Sequence, residues 1–334
     1  MKNYFTTIPC CYFPTSIVAI DDNHNFLDSL SLSLANDFAV QCYGEPLKIL
    51  HVLNNEYKSD SFTKRCLLQF EEERTEHRYS DLDVRAIHRE IYRPQRFNEI
   101  SLVIVDYAMP DLNGVEFCEQ LHDRNIKRIM LTGEAEIEIG MRAFNNGIID
   151  QFILKSAPNR MSELKQTIKD LQETYFQATS ESVVNRLIND NICPAIFLND
   201  PSFIHFFNSL RDKNHIAEYY LMSEQGSFLM LDKQGQPSWL AMANEDMMET
   251  YYRLADDDNA PKEVVEALKN KQMIPYFHTE DDFHTRPSEW QPYLYPAKVL
   301  KGKETYYYAC INDPSAYDIS RDKILSYQAY LDSL

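Results

Sequence analysis

ISLVIVDYAMPDLNG, residues 100–114, decides the architecture of the N-terminal half. The run from Ile100 to Val105 is almost wholly apolar and stops at Asp106, in the manner of a parallel strand buried on both faces that delivers an acid at its carboxyl end. A turn with Pro110, Asn113 and Gly114 follows, then the amphipathic pattern VEFCEQLHDR. The same grammar recurs on either side. SIVAIDD (16–22) ends in Asp21 and Asp22, RIMLTG (128–133) holds Thr132 at its end, and IDQFILK (149–155) ends in Lys155. FAVQCYG (38–44) is a further strand candidate. NFLDSLSLSLAND and EPLKILHVL read as helices, the second with Leu47, Leu50 and Leu53 on one side. Strands alternating with helices predict a doubly wound, five-stranded parallel α/β sheet. Binding sites in such sheets form beyond the carboxyl ends of the strands, where every one of these polar residues lies.

Residues 54–98 interrupt the pattern with dense charge (EEERTEHR, then DLDVRAIHREIYR) and read as an inserted helical excursion that projects away from the strand ends. The expected organisation is a domain over 1–160 carrying this insertion, a linking helix over 161–190 and a second, α+β domain over 191–334.

Three acids, a hydroxyl and an ammonium at strand ends form a set with separable chemical roles. Clustered carboxylates raise one another's pKa unless a cation sits among them. A hard divalent ion with oxygen ligands, Mg2+ above all, relieves that repulsion and keeps positions for water and phosphate oxygens. One carboxylate is then free to attack phosphorus, and Thr132 and Lys155 are placed to stabilise the charge that develops.

On these motifs the chain from about 16 to 158 resembles the receiver domain of two-component response regulators, a flavodoxin-like fold. The acidic pair Asp21–Asp22, the turn VDYAMPDLNG around Asp106, Thr132 followed by Gly133, and GIIDQFILK with Phe152 and Lys155 match that family in order. The resemblance implies that Asp106 is the phosphoacceptor and that Thr132 and Lys155 assist it. It implies Mg2+ as cofactor, held by Asp21, Asp22, Asp106 and the backbone carbonyl of Ala108, with Thr132 and Phe152 as switch residues. It implies a sensor histidine kinase or phosphotransfer protein as partner and a regulator whose chemistry is limited to its own phosphorylation and dephosphorylation. Two departures stand out: Ser156 replaces the proline that usually follows the lysine, and the gap from Asp22 to Asp106 is roughly double the family's, which places the insertion. Over its whole length the chain resembles quorum-sensing response regulators of the kind known from Legionella, whose output half is atypical.

The remaining features carry less. A strand aromatic such as Phe152 usually just packs. His278 and His284, near Glu280, Asp281 and Asp282, lack the spacing of a metal site. Beyond residue 190, a helix begun at Asp200 and Pro201, strands in EYYLMSEQGSFLMLDKQGQPSWLAMAN, helices in EDMMETYYRL and PKEVVEALKN, and a strand pair in PAKVLKGKETYYYACI are expected.

Composition limits the function classes. The 334 residues are 44% hydrophobic and 25% charged with a net charge of −18, which disfavours gripping nucleic acid through its phosphates. No recognition helix with clustered basic residues is visible in the C-terminal half. The seven cysteines form no CxxC pair, and no run reaches the roughly 18–20 apolar residues of a membrane-spanning helix. A cytoplasmic protein without membrane attachment is expected. Its output half would bind a protein partner or dimerise, and phosphorylation would favour a homodimer through the receiver's last face, which carries Ile137, Met141, Phe144, Leu164, Ile168 and Leu171, some packed on the sheet and a few left for a symmetric partner. The alternative is a phosphorylation-controlled nucleotide- or nucleic-acid-binding regulator that uses its tyrosine-rich strands.

Overall fold

The computed structural model describes residues 7–57, 87, 89–189, 195–222, 227–277, 290–312 and 319–334. In chain order its strands are β1 (Cys11–Tyr12), β2 (Ser16–Ile20), β3 (Val40–Tyr43), β4 (Ile100–Asp106), β5 (Lys127–Thr132), β6 (Gln151–Leu154) and β7 (Ile216–Leu221). Then come β8 (Phe228–Asp232), β9 (Pro237–Asn244), β10 (Met273–Pro275), β11 (Leu294–Pro296), β12 (Lys298–Lys301) and β13 (Thr305–Ile311).

The expected parallel sheet is present, in the order β3-β2-β4-β5-β6. Its strands alternate faces with the period of two that a pleat imposes. Val18, Ile20, Val103, Val105 and Met130 pack against helices Pro46–Asn55 and Gly114–Gln120 and against Ala143 of helix Ile137–Asn145. Ile17, Ala19, Leu102, Ile104, Ile129 and Leu131 pack on the other face against helix His24–Leu34 and against Leu164 and Ile168 of helix Arg160–Asn189. The capping box of Asn113 and Glu116 starts helix Gly114–Gln120 directly after the turn. In helix Pro46–Asn55, Ile49, Leu50 and Leu53 face the core, whereas Leu47 is exposed, because the apolar stripe follows the three- and four-residue spacing rather than every leucine.

The second unit is built on a six-stranded antiparallel sheet, β1-β7-β8-β9-β13-β12, with a separate pair β10-β11. Helix Pro201–Lys213 is capped by Asp200, which accepts from Ser202 N. It lays Phe203 and Phe207 on Phe228 and Tyr219. Helices Glu245–Asp257 and Lys262–Lys269 contribute Ala255, Val264 and Leu268 to a smaller core around Trp290.

The chain separates into two compact units: the described parts of Met1–Tyr12, Asp81–Arg93 and Glu181–Ser326 form one, and those of Phe13–Ser80, Pro94–Ser180 and Tyr327–Leu334 the other. This differs from the boundaries 1–160, 161–190 and 191–334 at both ends. Residues 11–12 pair with Tyr220 and Tyr219 of the antiparallel sheet, and Tyr12 stacks on Tyr219 at 5.8 Å. Helix Arg160–Asn189 is one continuous element over the span read as the linking helix, and the division between the units falls inside it, after Ser180. Residues 58–86 and 88 of the expected insertion, and the histidine cluster at 278–284, lie outside the described residues. The end of the insertion is core rather than excursion: Arg96 and Phe97 are fully buried, the guanidinium 4.0 Å above the ring.

Phe97 also anchors the C-terminal helix Tyr327–Leu331. Its ring lies 5.2 Å from that of Tyr327 and 5.1 Å from that of Tyr330. The Tyr327 hydroxyl accepts from Ala39 N and donates to Asp37 O, and the Tyr330 hydroxyl donates to Asn98 Oδ1. A buried aromatic truncated to alanine costs about 3–5 kcal/mol through lost transfer energy and the cavity left behind. Tyr327→Ala is therefore expected to lower unfolding free energy by about 3 kcal/mol, read from urea unfolding of the full chain. A change below about 0.5 kcal/mol, typical of surface sites, would mean the helix does not dock.

Candidate phosphoacceptor site

The register of the parallel sheet assembles the site. Ile20 is paired with Val105, Asp106 with Leu131 and Thr132 with Leu154, so the residues that end β2, β4, β5 and β6 share one edge. Asp21, Asp22 and Asp106 present carboxylate oxygens within 4.8 Å of one another. Asp21 and Asp106 are buried, whereas Asp22 is exposed.

Lys155 closes the cluster from β6, its Nζ 2.7 Å from Asp21 Oδ2 and 2.9 Å from Asp106 Oδ1. Its backbone N–H is fixed by Thr132 O at 2.9 Å. Burial works against the ammonium, but the hydrogen bonds it donates to Asp21 and Asp106, with their charges, outweigh that and hold the lysine above its ordinary range. Burial pushes the Asp106 carboxyl up, against the pull of Lys155 and with the help of the Asp21 charge. Three carboxylates against one ammonium leave the cluster formally negative, which a second cation would offset.

The Thr132 side chain is fully buried and its hydroxyl has no hydrogen-bond partner among the described residues. A buried hydroxyl without a partner costs about 1–3 kcal/mol. Thr132 ends β5, on the strand edge that also carries the acids. The acidic set, all oxygen ligands, together with this unused donor, suits a hexacoordinate Mg2+ that keeps waters and phosphate oxygens in its shell.

Other side chains support the frame. Asn23 N donates to Asp21 Oδ1 at 2.8 Å, and Glu136 Oε2 accepts from Gly133 N at 2.7 Å. A Cβ on Gly114 would stand 2.4 Å from the carbonyl oxygen of Asp106, so the helix start can lie this close to the strand end only with glycine there. Ala108 lies in the exposed turn two residues past Asp106. Phe152 is half-buried, 6.4 Å from Phe144 in an edge contact. The Lys155–Ser156 peptide is trans, and Ser156 Oγ donates to Glu134.

Sequence reading did not single out Phe26 or Arg160. The Lys155 ammonium lies 4.5 Å over the Phe26 ring, and Arg160 donates to the Lys155 carbonyl. Neither position carries a motif signal; both become visible only when helices His24–Leu34 and Arg160–Asn189 pack side by side on the sheet. Of the apolar residues expected to divide between the sheet and an open face, Ile168 and Leu164 are buried at 0% and 2% exposure, because the long helix turns that stripe onto the sheet. Met141 and Phe144 are exposed at 50% and 44%.

A five-stranded parallel sheet with three acids and a lysine at its carboxyl edge defines a receiver domain, and residues 75–169 match the family profile of the response regulator receiver domain. That match begins beyond β2 and β3, which the structure nevertheless places in the same sheet. Over nearly its whole length the chain is similar to the Legionella pneumophila response regulator LqsR: 37% identical, covering 99% of this chain and 97% of that one, with a TM-score of 0.79. The chain belongs to the response regulators. A response regulator receiver domain from Clostridium thermocellum also aligns, 18% identical over 48% of this chain and 95% of its own, with a TM-score of 0.32. No curated protein sequence matches. Among the described residues no helix is long and apolar enough to cross a membrane.

The metal assignment is open to a direct check. Free Mg2+ at 100 times its dissociation constant adds about 2.7 kcal/mol to a fold that binds it only when native. Mg2+ titration is expected to raise the melting temperature of the wild type. Asp22→Asn, at an exposed position, should fold normally and lose most of that gain; an undiminished Mg2+ response would remove Asp22 from the ligand set.

Proposed function

We propose that the protein is a phosphorylation-controlled signalling switch in which Asp106 accepts a phosphoryl group from a histidine kinase or phosphotransfer protein. The observation that carries this reading is the convergence of Asp21, Asp22 and Asp106, with Lys155 bridging Asp21 and Asp106, on the strand edge where the unpartnered Thr132 also lies. An Asp106 oxygen forms the new O–P bond as the donor's P–N bond breaks, and the electron pair leaves with the imidazole. Asp21, Asp22, Asp106 and the Ala108 carbonyl would hold Mg2+, which would supply charge neutralisation for the phosphoryl oxygens. Lys155 keeps its proton and turns its ammonium from the carboxylates to a phosphoryl oxygen. Thr132 donates its free hydroxyl to another, and Phe152 follows Thr132 inward.

Phosphorylation is proposed to act on self-association through the exposed Met141 and Phe144 of helix Ile137–Asn145, with Ile137 beside them, rather than through Ile168. Two copies related by a twofold axis would each cover these side chains. The likeness to quorum-sensing regulators supports a quorum signal as the input and a cytoplasmic site of action.

Asp106→Asn is expected to abolish phosphoryl uptake from acetyl phosphate while the circular dichroism spectrum is retained, since amide and carboxylate are nearly isosteric. Label that remains covalently bound to the variant would assign the acceptor elsewhere. For the second part, analytical ultracentrifugation at tens of micromolar with and without beryllofluoride should show a dimer favoured by the phosphoryl mimic. Phe144→Glu should return it to monomer; a wild type that stays monomeric in both conditions removes the dimer and leaves the phosphorylation chemistry untouched.

A further inference from the structure

The antiparallel unit contains a cleft of about 330 Å³ where helix Pro201–Lys213 ends over the sheet. That size falls within the roughly 300–1,000 Å³ of small-molecule sites. Its floor is formed by Met230, Ser238 and Tyr308, and Phe206 and Leu210 close it from the helix. The Phe206 and Tyr308 rings lie 4.5 Å apart. Register explains the floor: Met230 is opposite Ser238 and Tyr308 opposite Lys298, so strands β8, β9, β13 and β12 turn these side chains to one face.

The charges are one-sided. Lys213 and Lys298 both line the cleft, and no Asp or Glu does, in a chain with 51 acidic against 33 basic residues. Among the described residues neither lysine has an ion pair, so no carboxylate neutralises this side of the cleft. Both ammonium charges act on the Cys310 thiol at the cleft's rim: burial pushes that thiol up, and Lys298 and Lys213 pull against the shift. Lys213 also complements the negative end of its own helix, but that interaction calls for no second cation and does not account for Lys298.

We propose that this cleft binds a small organic anion, its phosphate or carboxylate set between Lys213 and Lys298 and its planar or apolar body against Phe206, Tyr308 and Met230. An anion there would gain charge-assisted hydrogen bonds from both ammonium groups, with Ser209, Ser238 and Asn312 as further polar groups. Phosphate and carboxylate share this chemistry, and the probes below separate them. The output unit would thereby sense a metabolite independently of Asp106 phosphorylation.

Cys310 is exposed and lines the cleft, so its alkylation reports occupancy, while exposed Cys42 serves as an internal control. Full-length protein is treated with the neutral reagent iodoacetamide alone or with 10 mM phenyl phosphate, 3-phenylpropionate, inorganic phosphate or 3-phenylpropanol, and labelling is followed by peptide mass spectrometry. One of the two aryl anions is expected to slow Cys310 labelling severalfold with Cys42 unchanged, and the stronger one identifies the head group. Lys213→Gln and Lys298→Gln, both at exposed positions, should each weaken this protection about tenfold, the worth of one charge-assisted bond. No protection by either aryl anion, equal protection by neutral phenylpropanol, or protection that survives the double variant overturns the site. Equal protection by inorganic phosphate overturns the role given to Phe206 and Tyr308.

Discussion

Three carboxylates within 4.8 Å of one another need a cation, and that requirement organises the receiver unit. At about 4 Å and an effective dielectric near 20, each pair of like charges repels by roughly 4 kcal/mol. Lys155 relieves part of this by bridging Asp21 and Asp106, and it can do so only from the strand beyond β5. The strand order, the pairing of Thr132 with Leu154 and the bond from Lys155 N to Thr132 O are the geometry that brings the ammonium to the acids. Gly114 belongs to the same constraint, because any side chain there would push on the Asp106 carbonyl. Asp22 points the remaining negative charge toward solvent, where a divalent ion can arrive with its waters.

Much of this was legible in the sequence because two signals coincide at each strand: an uninterrupted apolar run and an abrupt polar end. Asp21, Asp106, Thr132 and Lys155 each sit at such an end, and the sheet brings them together. What a one-dimensional pattern cannot supply is which stripe of a long helix meets the sheet. Ile168 and Met141 look alike as isolated apolar residues, yet one is fully buried and the other half exposed. The Thr132 hydroxyl is equally invisible: its lack of a partner is a property of packing.

The ends of the chain were misassigned for a different reason. A strand of two residues, Cys11–Tyr12, and a helix of five, Tyr327–Leu331, are too short to show any period. Their identity comes from long-range partners, Tyr219 for one and Phe97 for the other. Likewise Lys213 and Lys298 share a cleft only because a helix and an edge strand lie across one sheet face. In sequence they are two unremarked lysines in an acidic chain.

The resting site holds two unfavourable features that one event removes. In the proposed reaction, a buried, unpartnered Thr132 hydroxyl and an acid cluster with only one ammonium would both gain from a phosphoryl group and its metal. Such a gain shifts a conformational equilibrium only to the extent that the two conformations differ in it, so the differential must reach a mobile element. Phe152 is the side chain positioned for that in the proposed switch. It neighbours Met130 across β5, and a Cβ on Gly140 would come within 3.3 Å of its ring. The ring therefore lies close against helix Ile137–Asn145 at Gly140, where an added Cβ would press on it, and it meets Phe144 one turn further on. Displacement of Phe152 toward space vacated by Thr132 would withdraw support from beneath Phe144, whose exposed edge forms part of the proposed dimer surface. The coupling needs no rearrangement of the sheet, only the loss of one aromatic contact on a helix already held by a small core patch at Gly140 and Ala143.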